Sequence, residues 1–356
     1  MTVYILLVFF IILMYFLGGR HAIANAHQTV TPGLQKCTRG GLCLLTAYMI
    51  ILIGFRGWNV GIDTSGYRDH YNLTNFKLMF SSLGFLKEIE WGYSLLLFLF
   101  KSLHFSYRMV VVLEAFCYIV PIMYIVHRNS VNPYLSCAVF VMFEFFAFSL
   151  SAVRQTFAIG ICMIAFFAAK KQKLLNFVIL VLLAMTFHIT AVVFFPVYFL
   201  FQINIKKKHT IILLVIGALF FVFRGQIQQF IRQFARINYS SSETGGTGLY
   251  LYMLSLVILD VFLLPESENA EQNNIFRNMM LCAVFMYPIL QFHPAVLRLH
   301  LYYSIAMVVY IPNVFRKMRN VKLRVSMLLP YLAVAFYFML NYPLRHLGVV
   351  PYSFGF

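Results

Sequence analysis

Acidic side chains are scarce in this chain: 11 Asp and Glu stand against 28 Lys and Arg in 356 residues, and the four charged types together make up 11%. A soluble domain carries about 25% charged residues, and a composition that is 62% hydrophobic leaves more apolar surface than a soluble fold of this length can hide. Paired cysteine motifs are missing too. Of the six Cys, Cys43, Cys117, Cys137, Cys162 and Cys282 lie in apolar segments and Cys37 in a loop, which excludes a disulfide framework or a Cys-x-x-Cys redox or metal site. No Walker sequence, dinucleotide fingerprint or His-Glu-x-x-His occurs, and Gly245-Gly246-Thr247-Gly248 is too generic and wrongly placed to cradle a nucleotide. No spacing of His, Cys and carboxylates demands a metal, so no cofactor is expected. The net charge of +17 has no contiguous basic domain or zinc-finger spacing behind it, which excludes nucleic acid as a partner. Basic loops against anionic lipid, with some cations reserved for an anionic substrate, account for it.

What is present is hydrophobic sequence in long runs. Segments 2–18, 41–55, 92–104, 108–126, 134–151, 154–169, 174–187, 188–202, 210–223, 248–264, 276–291, 298–315 and 324–341 are apolar. About 20 helical residues cross a hydrocarbon core about 30 Å thick. The runs are continuous rather than alternating, which selects helices over a barrel. The expected fold is an all-α polytopic membrane protein, one domain over residues 1–356, with about 10 to 13 transmembrane segments. The 39 Phe and 22 Tyr suit lipid-facing and headgroup positions. Ala24-Asn25-Ala26 resembles a cleavage site, but no Lys or Arg precedes the first apolar run, so that helix is expected to be retained and no soluble domain is expected beside it.

Three basic clusters orient the chain: Lys170-Lys171-Gln172-Lys173, Lys206-Lys207-Lys208, and Arg316-Lys317-Met318-Arg319 with Lys322 and Arg324. The positive-inside rule puts all three in the cytoplasm. Residues 174–202 then form a hairpin of two short helices with its outer tip near His188, residues 224–247 lie outside, 265–275 inside, and His293 outside. In the first half, Arg20, Lys36 and Arg39 place residues 19–40 inside and the loop 56–91 outside, yet counting from either end gives Arg154 opposite sides. A re-entrant or additional helix between residues 56 and 154, expected near 76–90, restores the parity.

The loops 56–91 and 224–247 are long for a helical membrane protein, and polar loops on a rigid scaffold are where binding is expected. The second carries Arg224, Arg232 and Arg236. Ionised groups in membrane segments need a partner, water or a function. Arg154 stands between two apolar runs; its planar set of donors suits a phosphate, and pairing to Glu144 or to a helix terminus is the structural alternative. His188 suits a hydrogen bond to sugar or phosphate, general-base work, or a purely structural hydrogen bond. Arg298 and His300 open a late helix on opposite sides of it, so both are not expected to face one ligand. Arg56, Asp63 and Asp69 in the first loop could join a stabilising cation to a base, or simply form solvated salt bridges. Glu114, Glu144 and Asp260 in apolar segments are what a proton-coupled transporter would use, but no internal repeat or regular charged face accompanies them.

Taken in order, Arg56-Gly57, Gly61-Ile62-Asp63-Thr64, Tyr67, Glu90-Trp91-Gly92-Tyr93, Arg154-Gln155 with Ala158, Phe187-His188 with Ala191, and Arg298 with Tyr302-Tyr303 and Pro312 resemble the EpsG family of Wzy-like membrane polysaccharide polymerases. The resemblance runs from about residue 50 to residue 340 and rests on order and spacing rather than on any single element.

The resemblance implies a glycosyltransferase in the bacterial cytoplasmic membrane with its site on the outer face. The donor would be a glycan on undecaprenyl diphosphate, the acceptor a lipid-linked repeat unit, and a separate flippase and chain-length regulator would be partners in the system. On that basis Arg154 and Arg298, then Arg56, are the cations for the leaving diphosphate. Asp63 is the candidate base with His188 as competitor, and Tyr67 and Trp91 would stack on sugar rings. Glu90, Gln155, Arg224 and His293 complete the substrate-binding set. The competing functions are an O-antigen ligase-like transferase, which differs in acceptor, and a transporter or flippase of lipid-linked glycan.

Overall fold

The computed structural model describes residues 1–19, 32–81, 89–235, 247–263, 274–291, 294–341 and 343–355; His293, residues 236–246 and most of the loop 265–275 lie outside them. Each of the thirteen apolar segments carries helix, and among the described residues no strand forms, only one isolated bridge between Arg56 and Phe354. The protein is an all-α polytopic membrane protein. Helix positions follow the apolar runs, but helix lengths do not. By length and composition Tyr107–Asn129, Val153–Lys170 and Val321–Asn341 are long and apolar enough to cross a membrane, and a bent pair, Lys207–Val222 with Arg224–Phe230, makes a fourth. The remaining apolar stretches of helix, such as Arg39–Gly54 and Leu174–Phe187, are shorter.

The chain divides into two compact units, the first made of residues 1–192 and 325–356, the second of residues 193–324. In the first unit come α1 (Thr2–Met14), α2 (Pro32–Gly54), α3 (Thr64–Leu73), α4 (Phe76–Ser81) and α5 (Trp91–Ser102). They are followed by α6 (Tyr107–Asn129), α7 (Pro133–Met142), α8 (Glu144–Ser149), α9 (Val153–Lys170) and α10 (Leu174–Phe187). Helix α9 packs between α6 and α10, and α2 lies along α6. On α10, Leu175, Ile179, Leu182 and Leu183 are exposed while Phe177, Val181 and Ala184 are buried, so one stripe faces lipid and the other the protein. Fourteen residues of α10 rise about 21 Å at about 1.5 Å each. That is short of the hydrocarbon thickness of about 30 Å.

The first loop is more ordered than a loop. Its residues 57–62 are clasped by the C-terminal segment: Gly57 N donates to the Ser353 carbonyl (2.7 Å), Gly61 N to Gly348 (2.9 Å) and Ile62 N to Leu347 (3.0 Å), while Gly355 N donates to Phe55 (3.0 Å). On the other side this loop fits the break between α8 and α9, where the Thr64 hydroxyl donates to the Leu150 carbonyl (3.3 Å). Gly61 has φ +91°, and a Cβ there would lie 1.9 Å from that same carbonyl oxygen, so no side chain fits. The breaks at Phe143 and Leu150 interrupt the helical backbone, and both residues are buried in protein, the setting in which such breaks are tolerated in a membrane protein.

The second unit contains α11 (Lys207–Val222), α12 (Arg224–Ala235), α13 (Thr247–Leu263), α14 (Asn274–Leu290) and α15 (Met307–Arg316); α16 (Val321–Asn341) begins in it. Residues 224–235, expected as loop, form a helix bent 69° from α11. Its Ile227 and Phe230 recur at helical spacing among Gln and Arg, and Gln228 Nε2 donates to the Pro288 carbonyl of α14 (2.8 Å). Asp260 anchors the unit's core. Its carboxylate accepts from Arg277 Nε (2.7 Å), from the Tyr310 hydroxyl (2.9 Å) and from Lys317 Nζ, joining α13, α14 and the end of α15.

Candidate functional site

Helix α3 is amphipathic: Tyr71 and Thr64 are buried while Arg68, Asp69 and Asn72 are exposed. Asp63 caps its start, and positions 63, 67 and 70 fall on one face by helical spacing. Tyr67 on that face reaches α9, where Arg154 Nε donates to its hydroxyl (3.1 Å) and the guanidinium lies 5.4 Å from its ring. The other side of Arg154 meets Glu90, the residue before α5, at 2.5 Å between Nη1 and Oε2. The second oxygen of Glu90 accepts from the backbone N of Ile189 (3.1 Å). One carboxylate thus links α9 to the turn that carries His188. Glu90 and Tyr67 both hold the Arg154 side chain, which is 17% exposed.

Burial raises the Tyr67 hydroxyl pKa above its ordinary value, partly offset by Arg154, so the group is protonated at neutral pH. Since it accepts from Arg154, its own proton remains available to a ligand. His70 moves the other way: burial first, then the charge of Arg154, lowers its pKa and leaves the imidazole neutral. Beyond Tyr67 an aromatic wall continues through Tyr93 (5.7 Å between ring centres), Tyr107 and Trp58, whose indole is approached by Arg108 at 4.0 Å and Arg68 at 4.9 Å. Among the described residues no three His, Cys, Asp or Glu side chains cluster as metal ligands would.

The site residues expected from sequence separate into three groups. Arg154, Glu90 and Tyr67 come together, with His188 one residue from the Glu90 anchor. His188 Nδ1 lies 2.6 Å from the Thr190 hydroxyl, fixing the turn after α10. Asp63 makes no side-chain cap hydrogen bond and is half-buried at the start of α3, and Trp91, half-buried, opens α5. Arg56 is withdrawn into the core, which is the salt-bridging alternative of the sequence reading. It is wholly buried, donates to the Ile53 carbonyl (2.8 Å) and lies 3.9 Å from Glu114, whose other oxygen accepts from Thr156 (2.6 Å). Gln155 is likewise buried rather than turned to a ligand. The remaining group belongs to the second unit. There Arg224 donates to the Phe221 carbonyl (2.9 Å) and covers that ring at 4.3 Å, which closes the end of α11, and Arg298 is half-buried beside buried His300.

The structural alternative for Arg154 named Glu144 or a helix terminus as its partner; Glu90, 64 residues away in sequence, is a partner that the sequence did not suggest. Sequence reading also passed over His70, whose signal is its position seven residues after Asp63 and three after Tyr67. Gly92 explains why Glu90 reaches so far. A Cβ at Gly92 would lie 2.2 Å from the Thr186 hydroxyl and 2.7 Å from its carbonyl oxygen, so the glycine lets α5 close on α10 two residues from Glu90. Gly92→Ala should therefore part these helices and cost about 1–3 kcal/mol, read as earlier thermal unfolding in detergent. Unfolding at the wild-type temperature would contradict this.

Comparison with known proteins gives one match: the model of the EpsG family covers residues 42–354. No curated protein and no solved structure matches.

Proposed function

Because the chain belongs to the EpsG family of polysaccharide polymerase-like membrane proteins, we propose that it joins undecaprenyl-diphosphate-linked repeat units into a surface polysaccharide. The transfer takes place at the outer face of the cytoplasmic membrane. A hydroxyl of the acceptor repeat attacks the anomeric carbon of the donor glycan, and lipid diphosphate departs. The donor carries its own leaving group, so the chemistry needs positioning and fixed positive charge where the diphosphate oxygen gains charge.

The observation that carries this reading is the Arg154 guanidinium, held by Glu90 and Tyr67 and partly exposed. An arginine so held is a preorganised donor for a diphosphate, and it needs no reorganisation as the transition state forms. Tyr67, bonded to Arg154, and Trp91, next to Glu90 in sequence, offer ring faces and polar tips suited to sugars. The transporter alternative loses support, because Glu114 and Asp260 are engaged in core ion pairs. A ligase would use the same cation and differ in acceptor.

Cells that depend on this protein for their surface glycan test the reading. Removing the gene should leave single repeats on lipid and no long chains, and restoring the gene should bring the long chains back. Long chains persisting in the deletion strain would contradict it.

A further inference from the structure

We propose that His70 takes the proton from the acceptor hydroxyl as the new glycosidic bond forms. The inference rests on the reading that Arg154 faces the departing diphosphate, and it supplies the base that this reading lacks.

Three observations lead to His70. First, α3 places it on the face that carries Tyr67, the residue bonded to Arg154, one turn farther along the helix. Second, its imidazole makes no hydrogen bond to a described side chain, although its own carbonyl is taken by the Thr74 hydroxyl (2.8 Å). The ring is half-buried and free to bind an incoming hydroxyl. Third, its protonation state suits a base, since burial and the neighbouring guanidinium keep it neutral. Of the two bases expected from sequence, His188 is tied to Thr190 through Nδ1, and Asp63 lies one turn of α3 on the other side of Tyr67.

The charged and titratable groups around His70 are few. Arg154 faces it from α9, with Glu90 bound to that arginine on the far side. From α5, Lys101 turns its ammonium to the Asn72 and Thr74 carbonyls at the end of α3. From α6, Tyr107 packs on Tyr71. On α3 itself stand Asp63, Tyr67 and Tyr71, with Arg68 and Asp69 exposed.

The step balances without a further reactant. The acceptor oxygen bonds to the anomeric carbon while the bond from that carbon to the diphosphate oxygen breaks, and its electron pair leaves with the diphosphate. The hydroxyl proton passes to the free nitrogen of His70. The imidazolium and guanidinium then flank the extra negative charge on the leaving group, and the proton escapes to water or to the departing diphosphate.

The test is the rate of chain extension by full-length protein in lipid vesicles, fed its lipid-linked repeat unit, from about pH 5 to about pH 8. The lowered pKa means that wild-type rate should rise with pH through a value below about 6.5 and then level off. His70→Gln should lose about 100-fold at the plateau and lose the acid limb with it. Imidazole added to His70→Ala should restore part of the rate, which it cannot do for a folding defect. Asp63→Asn should keep the acid limb. A wild-type rate and an intact acid limb in His70→Gln would overturn the proposal, as would an acid limb lost in Asp63→Asn but kept in His70→Gln. Failure of the wild-type protein to extend chains at all would instead overturn the polymerase reading, and this inference with it.

Discussion

Long glycan should disappear when Arg154 becomes alanine, even where the protein still reaches the membrane. Alanine removes the cation that Glu90 and Tyr67 hold. Removing a preorganised donor of this kind costs about 100- to 1,000-fold in rate. The same change strands Glu90, which is 7% exposed and keeps only the backbone N of Ile189 as partner. A buried charge left unpaired costs several kcal/mol, about 3–5 where burial is complete. Some loss of stability is therefore expected beside the loss of activity. The double variant Glu90→Ala with Arg154→Ala separates the two, because it removes the stranded carboxylate without restoring the cation. Its thermal stability should recover and its activity should not. Lysine at 154 keeps the charge but not the fork that reaches Tyr67 and Glu90 together, so it should rescue only in part. Glycan of normal length from a normally expressed Arg154→Ala protein would sink the assigned role.

The largest loss of stability should come from Asp260→Ala. The aspartate is wholly buried and serves Arg277, Lys317 and Tyr310 at once, so its removal leaves two cations facing each other in the core of the second unit. Breaking a buried pair from one side costs about 3–5 kcal/mol. A melting experiment in detergent, followed by size-exclusion chromatography, should show an early loss of the monodisperse peak for Asp260→Ala. Lys171→Ala, at an exposed turn, should melt as the wild type does. If Asp260→Ala kept wild-type stability, the cluster would not be the anchor described.

Much of this architecture was legible because hydrophobicity is written locally. The apolar runs mark helices, the lysines at 170–173 mark the foot of α10, and Phe187-His188 marks its end. What escaped was either non-local or hidden in averages. Arg154 advertised its need for a partner, but Glu90 lies 64 residues away and comes within reach only because Gly92 lets α5 approach α10. Residues 224–235 read as loop because Gln and Arg dominate their composition, while Ile227 and Phe230 hold the helical period. Arg56 looked available because it opens a polar loop; nothing local told of Glu114 behind it or of the C-terminal segment pairing at Phe354. His70 was overlooked beside Asp63 because a histidine in a polar stretch is unremarkable until Arg154 is placed next to it.

The central claim is that this protein builds a polymer from lipid-linked repeat units, and purified protein in lipid vesicles tests it most directly. Given only its undecaprenyl-diphosphate-linked repeat unit, with no nucleotide sugar or ATP, it should yield a ladder of lipid-linked glycans, each longer by one repeat. Folded protein that returns the verified substrate unchanged would contradict the account.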